Sequence, residues 1–304
     1  MASDFELIDA AFTPLHPDGS INPDGVTAYA GLMKRQGIDG AFVCGSTGEG
    51  PLLTTGERKA LAERWVAEAG GEVKVVVHVG HSSPWEARGL AQHAAAIGAD
   101  AISAVGPFYF RPDRLGSLVE SCAIIASGAP DLPFYYYHAP AQTGVTIAMA
   151  SFLVAATKRI PSFAGIKFTH EDLSDFADCL ALAKPGQRIY FGRDEILVAA
   201  LALGANGAIG TTYSLLAPVY RAAIAATSQG DLPGAQASQA IARRVVGIGL
   251  SYGGLPAFKL MNKWAGTDCG PVRAPLNNLT SDDERRLRAE LEAADVLQYI
   301  ASGG

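Results

Sequence analysis

The 304-residue sequence predicts an α/β fold, a (β/α)8 TIM barrel with a C-terminal helical extension. Two observations carry that prediction. Short, continuous apolar runs alternate with Ala-rich amphipathic segments, one pair roughly every 25–30 residues, which is the rhythm of such a barrel. Beyond about residue 214 the apolar runs cease and the chain reads as helices. A doubly wound open sheet obeys the same alternation, so closure is an expectation that periodicity alone leaves open.

The eight strand candidates begin at Leu7 (LIDAAFTP), Gly40 (GAFVCG), Val73 (VKVVVHVG) and Ala101 (AISAVGP), then at Leu132 (LPFYYYH), Phe163 (FAGIKF), Arg188 (RIYFG) and Gly207 (GAIGTTY). They lack polar alternation, as parallel strands covered on both faces should. Between them, GVTAYAGLMKRQG, ERKALAERWVAEAG and WEARGLAQHAAAIGAD repeat apolar residues at helical spacing and close on glycine. From Leu215 the stretches APVYRAAIAATSQG, GAQASQAIARRVVGIGLSYG, LPAFKLMNKWAG and SDDERRLRAELEAADVLQYIA read as helices. The last starts on a capping box of Ser281 with Glu284. No low-complexity linker intervenes. The expectation is a single domain over 1–304, with the barrel core over 1–214 and the last barrel helix plus a helical appendage over 215–304.

The chain is 49% hydrophobic and 18% charged, so it buries a core. Its net charge of −6 argues against nucleic acid or an anionic membrane as partner, while leaving room for an anionic small molecule held by local donors. Cys44, Cys122, Cys179 and Cys269 form no CxxC pair, which suits free thiols in a reducing cytoplasm. The opening MASDFELIDAAFTPL carries acids and no basic segment of a signal peptide. ILVAALALGANGAIG is too short and too interrupted to span a bilayer. The expectation is a cytoplasmic protein with no membrane association.

In such a barrel, chemistry sits where strands end. GSTGEG (Gly45–Gly50) follows the second strand and exposes backbone N–H groups and two hydroxyls, suited to a carboxylate or phosphate; a tight capped turn explains the same residues. The fifth strand ends in Tyr135, Tyr136 and Tyr137, with Tyr136 on the opposite face from the other two. Tyr137, nearest the end, is the candidate proton carrier, though a core aromatic reads the same way. Lys167 stands among apolar neighbours in the sixth strand. Buried, it would present a neutral amine for imine chemistry; a snorkelling or ion-paired lysine is the alternative. GRDE (Gly192–Glu195) supplies two acids able to bind sugar hydroxyls or to start a helix, and GTTYS (Gly210–Ser214) supplies further hydroxyls. His78 and His81 have no carboxylate or thiol close in sequence, so no metal site is expected.

The TP of AAFTP, GSTGEG, PFY (Pro107–Tyr109), YYYHAP, GIKFT, GRDE, GTTY and GPVRAPL (Gly270–Leu276) occur in this order from about Leu7 to Leu297. Together they resemble the N-acetylneuraminate lyase/dihydrodipicolinate synthase superfamily of class I, Schiff-base aldolases, and within it the sialic acid branch. The resemblance implies that Lys167 forms the imine, Tyr137 passes protons and Ser46 and Thr47 hold the substrate carboxylate. It implies that Tyr109 supports the proton network from a neighbouring subunit. Thr169, Gly192, Asp194, Glu195 and Thr211 would line the pocket for a polyhydroxyl tail. It further implies reversible cleavage of N-acetylneuraminate to N-acetylmannosamine and pyruvate, no cofactor beyond the covalent imine, a small 2-keto acid as partner and a homotetramer built as a dimer of dimers. The alternative is a related pyruvate-dependent aldolase or dehydratase acting on another 2-keto-3-deoxy sugar acid. Departures from the branch pattern are Gln142, Thr211, Gly106 and Arg193. The last would either read a carboxylate on a different acid sugar or face solvent.

Overall fold

Each apolar run becomes a strand in the computed structural model, which describes residues 5–301. Residues 1–4 of the acidic N-terminal segment, and residues 302–304, lie outside the described residues. The strands are β1 (Glu6–Ala10), β2 (Gly40–Val43), β3 (Lys74–His78), β4 (Ala101–Val105), β5 (Phe134–His138), β6 (Phe163–Phe168), β7 (Arg188–Phe191) and β8 (Gly207–Gly210). Neighbours pair in parallel and in sequence order, and β8 returns to β1 through Leu7 beside Ala208 and Ile8 beside Ile209. The sheet is therefore a closed barrel, not the open alternative. Alternate residues divide the core in two. Ile8, Phe42, Val76, Tyr135 and Tyr137 fill the interior, while Leu7, Val43, Ile102, Tyr136 and Ile166 pack outward beneath the helices.

Helices follow where period and caps place them. That over Thr55–Ala69 starts on a reciprocal cap between Thr54 and Glu57 and stops at Gly70, whose φ of 58° suits a residue without a Cβ. The helix Ser281–Ala293 corrects the expectation by one residue. Its capping box is Thr280 with Asp283, not Ser281 with Glu284, because Thr280 keeps the extended backbone of a cap while Ser281 is already helical. Beyond the eighth strand run the helices Ala217–Ser228, Leu232–Ser251, Leu255–Trp264, Ser281–Ala293 and Leu297–Ala301. They are joined to the barrel: Gln239 accepts from the Val198 N–H and donates to the Asp194 carbonyl. Among the described residues, no helix is long and apolar enough to cross a membrane.

One irregularity positions the site. Phe134 pairs with Phe163, but Tyr135 pairs with Gly165, so Ala164 is an extra residue in β6. Unbroken pairing would set Ile166 beside Tyr137 and turn Lys167 out toward the helices, since a one-residue slip exchanges the faces. With the bulge, Tyr137 stands beside Lys167 and both enter the barrel. Gly165 makes this kink at φ 141°, and a Cβ there would lie 1.8 Å from the Arg188 carbonyl oxygen. Gly165→Ala should therefore cost about 3 kcal/mol in urea unfolding, the upper range for strained backbone. It should also strip Lys167 of its reactivity toward carbonyl reagents. A variant with unchanged unfolding midpoint and reactivity would show that the bulge does not hold the lysine.

Candidate active site

Lys167 is 4% exposed. Its Nζ lies 4.0 Å from the centre of the Phe42 ring and 4.2 Å from that of Tyr137. Burial lowers its pKa from the ordinary lysine value to about 7, although the charges of Asp194 and Asp9 pull the other way. An amine that is substantially unprotonated near neutrality is a nucleophile for a carbonyl carbon. The Tyr137 hydroxyl is 3.4 Å from Ser46 Oγ; burial raises its pKa, so it stays a phenol and can both give and take a proton. Beneath it His78 packs edge-on, a neutral ring by burial and the nearby positive charges. Its Nδ1 faces the Cys44 carbonyl and its Nε2 accepts from the Val105 N–H. Both nitrogens are thus engaged by backbone, which gives His78 a structural place. Among the described residues, no group of three or more His, Cys, Asp or Glu side chains could hold a metal ion.

The GSTGEG loop closes on itself through Gly50 N–H to the Gly45 carbonyl, and Thr13 donates to the Gly48 carbonyl. Gly50 must be glycine: a Cβ would sit 1.9 Å from the Cys44 carbonyl oxygen. Glu49, at φ 56°, turns inward and is fully covered. Its two oxygens accept from Lys259 Nζ and from the Arg273 backbone N–H, both at 2.8 Å. The Arg273 guanidinium in turn pairs with Glu57. The loop carrying Ser46 and Thr47 is therefore bolted to the C-terminal helices. Thr47 reaches across the barrel mouth and shares a 2.8 Å hydrogen bond with Thr211.

These groups open into a cavity of about 260 Å³ lined by Ser46, Thr47, Tyr137, Lys167, Thr169 and, across the mouth, Gly192 through Glu195 and Thr211. Thr169 Oγ1 is buried beside the Tyr137 hydroxyl, which lies close enough to it to pull the phenol's pKa down against the effect of burial. Asp194 is less available than its place in GRDE suggests. Its Oδ2 accepts from both the N–H and the hydroxyl of Thr212, and burial pushes its pKa to about 6. It staples the β7 loop to the β8 loop, and Gly210 lacks a Cβ because the Asp194 carboxylate fills that space.

The whole of this framework matches known proteins. The model of the dihydrodipicolinate synthetase family matches residues 5–294. The chain belongs to that family. It is 38% identical over 296 residues to the N-acetylneuraminate lyase of Mus musculus, covering 96% of this chain and 92% of that one. It is 40% identical to that of Xenopus tropicalis, covering 96% and 97%. The solved Proteus mirabilis N-acetylneuraminate lyase superposes with a TM-score of 0.93 at 37% identity, covering 96% of this chain and 99% of that one.

In this member of the dihydrodipicolinate synthetase family, the fold brings together nine of the ten residues proposed from sequence: Ser46, Thr47, Tyr137, Thr169, Lys167, Gly192, Asp194, Glu195 and Thr211. Tyr109 is not among them. It is 78% exposed on the loop after β4, packed edge-on against the equally exposed Phe110. Sequence reasoning missed Phe42, one wall of the amine's cage, and Val246, Leu250 and Phe258, which line the cavity from the C-terminal helices. An apolar residue on a helix face looks the same whether it meets a core or a pocket, so no local signal marked them. Lys259→Met should leave Glu49 buried without its cation and lower stability by about 3–5 kcal/mol in denaturant titration. Adding Glu49→Gln should restore part of the loss; strict additivity of the two losses would mean that the pair does not act as a unit.

Proposed function

We propose that this protein is a class I aldolase that cleaves N-acetylneuraminate reversibly to N-acetylmannosamine and pyruvate, with Lys167 as the imine-forming residue. The observation that carries this reading is the caged amine: a lysine with a pKa near 7, inside a closed barrel and beside a buried phenol. The likeness to lyases of this name at 37–40% identity supports the substrate.

The residues act as follows. Ser46, Thr47 and the N–H groups of their loop receive the substrate carboxylate. Unprotonated Lys167 Nζ adds to the C2 ketone, and loss of water with uptake of one proton from solvent leaves a protonated imine. The C3–C4 bond then breaks as the C4 hydroxyl loses its proton. The electron pair of that bond flows through C3 and C2 into the imine nitrogen, so an enamine forms instead of a bare carbanion. Because burial keeps Tyr137 a phenol, it works as a relay, accepting the C4 proton while passing its own to the substrate carboxylate. Protonation of the enamine at C3 and hydrolysis release pyruvate and free Lys167; synthesis runs the same steps backward. Thr169, Gly192, Asp194, Glu195 and Thr211 face the polyhydroxyl tail, and their shared place in the cavity lining supports the assignment. The covalent imine is the only cofactor function this chemistry asks for.

The exposed Tyr109 and Phe110 support a role for Tyr109 in the proton network of a neighbouring subunit, within a homotetramer arranged as a dimer of dimers. Four buried free thiols support a cytoplasmic setting.

Borohydride trapping with pyruvate and with N-acetylneuraminate, followed by peptide mass mapping, should place a pyruvyl adduct on Lys167 in both. Lys167→Ala should abolish it, and a persistent adduct elsewhere would move the chemistry from this lysine. Tyr137→Phe should lower turnover about 10²–10⁴-fold, as loss of a general acid–base does, with milder loss of pyruvate trapping. Lys167 reacts only when unprotonated, so the trapping rate with pyruvate should rise with pH and reach half its plateau at about 7. A rate still climbing toward the ordinary lysine pKa would show that burial does not activate the amine.

A further inference from the structure

The loops after β6 and β7 meet at one guanidinium nitrogen. Arg193 Nη2 lies 2.6 Å from Glu171 Oε1 and 2.7 Å from Glu195 Oε1. Arg193 Nε is buried without a hydrogen-bond partner among the described residues, so the side chain is laid against the protein and not extended into water. Arg193, Asp194 and Glu195 all line the cavity. The charge of the arginine is answered by two carboxylates of the protein itself.

We propose that Arg193 is a positioning residue for Glu195, and that the Glu171–Arg193–Glu195 bridge makes the pocket select a neutral polyhydroxyl tail over a tail that ends in a second carboxylate. This rests on the reading of the site as a sialic acid lyase and adds the chemistry by which its far end discriminates.

Three considerations lead there. A carboxylate that gives one oxygen to an arginine keeps further lone pairs for substrate hydroxyls, and its direction is set by the arginine. Two carboxylates, Glu171 and Glu195, share one guanidinium at this rim and Asp194 lines the same cavity, so a second substrate carboxylate would enter a region already rich in negative charge. Such repulsion is an effective source of specificity. Finally, these ion pairs are partly exposed, with Arg193 at 30% and Glu171 at 58% side-chain exposure, and pairs of that kind add little to stability. Their consequence is geometric: they tie two loops from neighbouring strands into one rim.

The test is steady-state kinetics on two substrates, N-acetylneuraminate and a 2-keto-3-deoxy acid bearing a terminal carboxylate, with wild type, Arg193→Met, Arg193→Lys and Glu171→Gln. Arg193→Met should raise KM for N-acetylneuraminate about tenfold, the effect of losing one oriented polar contact, while kcat changes much less. Arg193→Lys should recover part of that loss. Glu171→Gln leaves the guanidinium with one partner, and should lower KM for the terminal-carboxylate substrate several-fold and narrow the preference. Pyruvate trapping on Lys167 in each variant reports that the barrel is intact; where Arg193→Met fails to trap, Glu171→Gln carries the test. Unchanged KM values in Arg193→Met and Glu171→Gln, or equal losses in kcat and KM on both substrates, would overturn the proposal alone. Wild-type enzyme that traps pyruvate but releases none from N-acetylneuraminate would overturn the functional reading, and this proposal with it.

Discussion

A single amine held out of water, against two aromatic faces, is the constraint on which the remainder of the molecule depends. A protonated lysine in that position would lose its hydration with no carboxylate in contact, so burial favours the neutral form. The cage of Phe42 and Tyr137 is built on β2 and β5, while the lysine arrives on β6. β5 and β6 pair directly, whereas β2 faces β6 across the interior only because the barrel closes. The lysine points inward only because β6 carries an extra residue at Ala164 and a glycine at position 165. Bulges re-aim side chains in exchange for local ladder bonds, and this one brings Lys167 into the barrel beside Tyr137.

The rim around that amine is rigid for a different reason. Its polar groups are tied in pairs across strand ends: Thr47 to Thr211, Asp194 to Thr212, Glu195 through Arg193 to Glu171, and Glu49 to Lys259. The most deeply covered ion pair of these is Glu49–Lys259, whose second carboxylate oxygen is taken by the Arg273 backbone. A buried carboxylate is tolerable when a cation pairs with it and both oxygens accept hydrogen bonds, and here those bonds fix the GSTGEG loop against the C-terminal helices. Those helices also supply Val246, Leu250 and Phe258 to the cavity wall. The division into barrel and appendage follows the strand rhythm, whereas the cavity is assembled from both.

Much of this was legible from local chemistry. Length and continuity of the apolar runs marked all eight strands, because a parallel strand buried on both faces can tolerate little else. Small residues in GSTGEG marked a loop whose backbone must pass close to itself, as Gly50 against Cys44 does. A lone lysine inside FAGIKF marked a cation placed where it is costly. The helix cap near residue 280 shows the limit of such reading. Thr280 and Ser281 are both hydroxyl caps with an acid three residues on, so local sequence is degenerate and the backbone chooses Thr280.

The sequence by itself determined which residue types could do chemistry and that they stand at strand ends, since the unperturbed acidity of a side chain, its hydropathy and the period of a segment are local properties. Tertiary structure decided the rest. The direction of Lys167 depends on pairing register with β5, which no window of β6 contains. The partners of Arg193 lie on a neighbouring loop and on its own, so its charge could not be assigned until the two loops met. Phe42 became part of the site through closure of the barrel, and Tyr109 remained outside its own chain's cavity, exposed on the loop after β4. Proximity between residues distant in the chain is a property of the closed fold, and the reactivity of the site follows from that proximity.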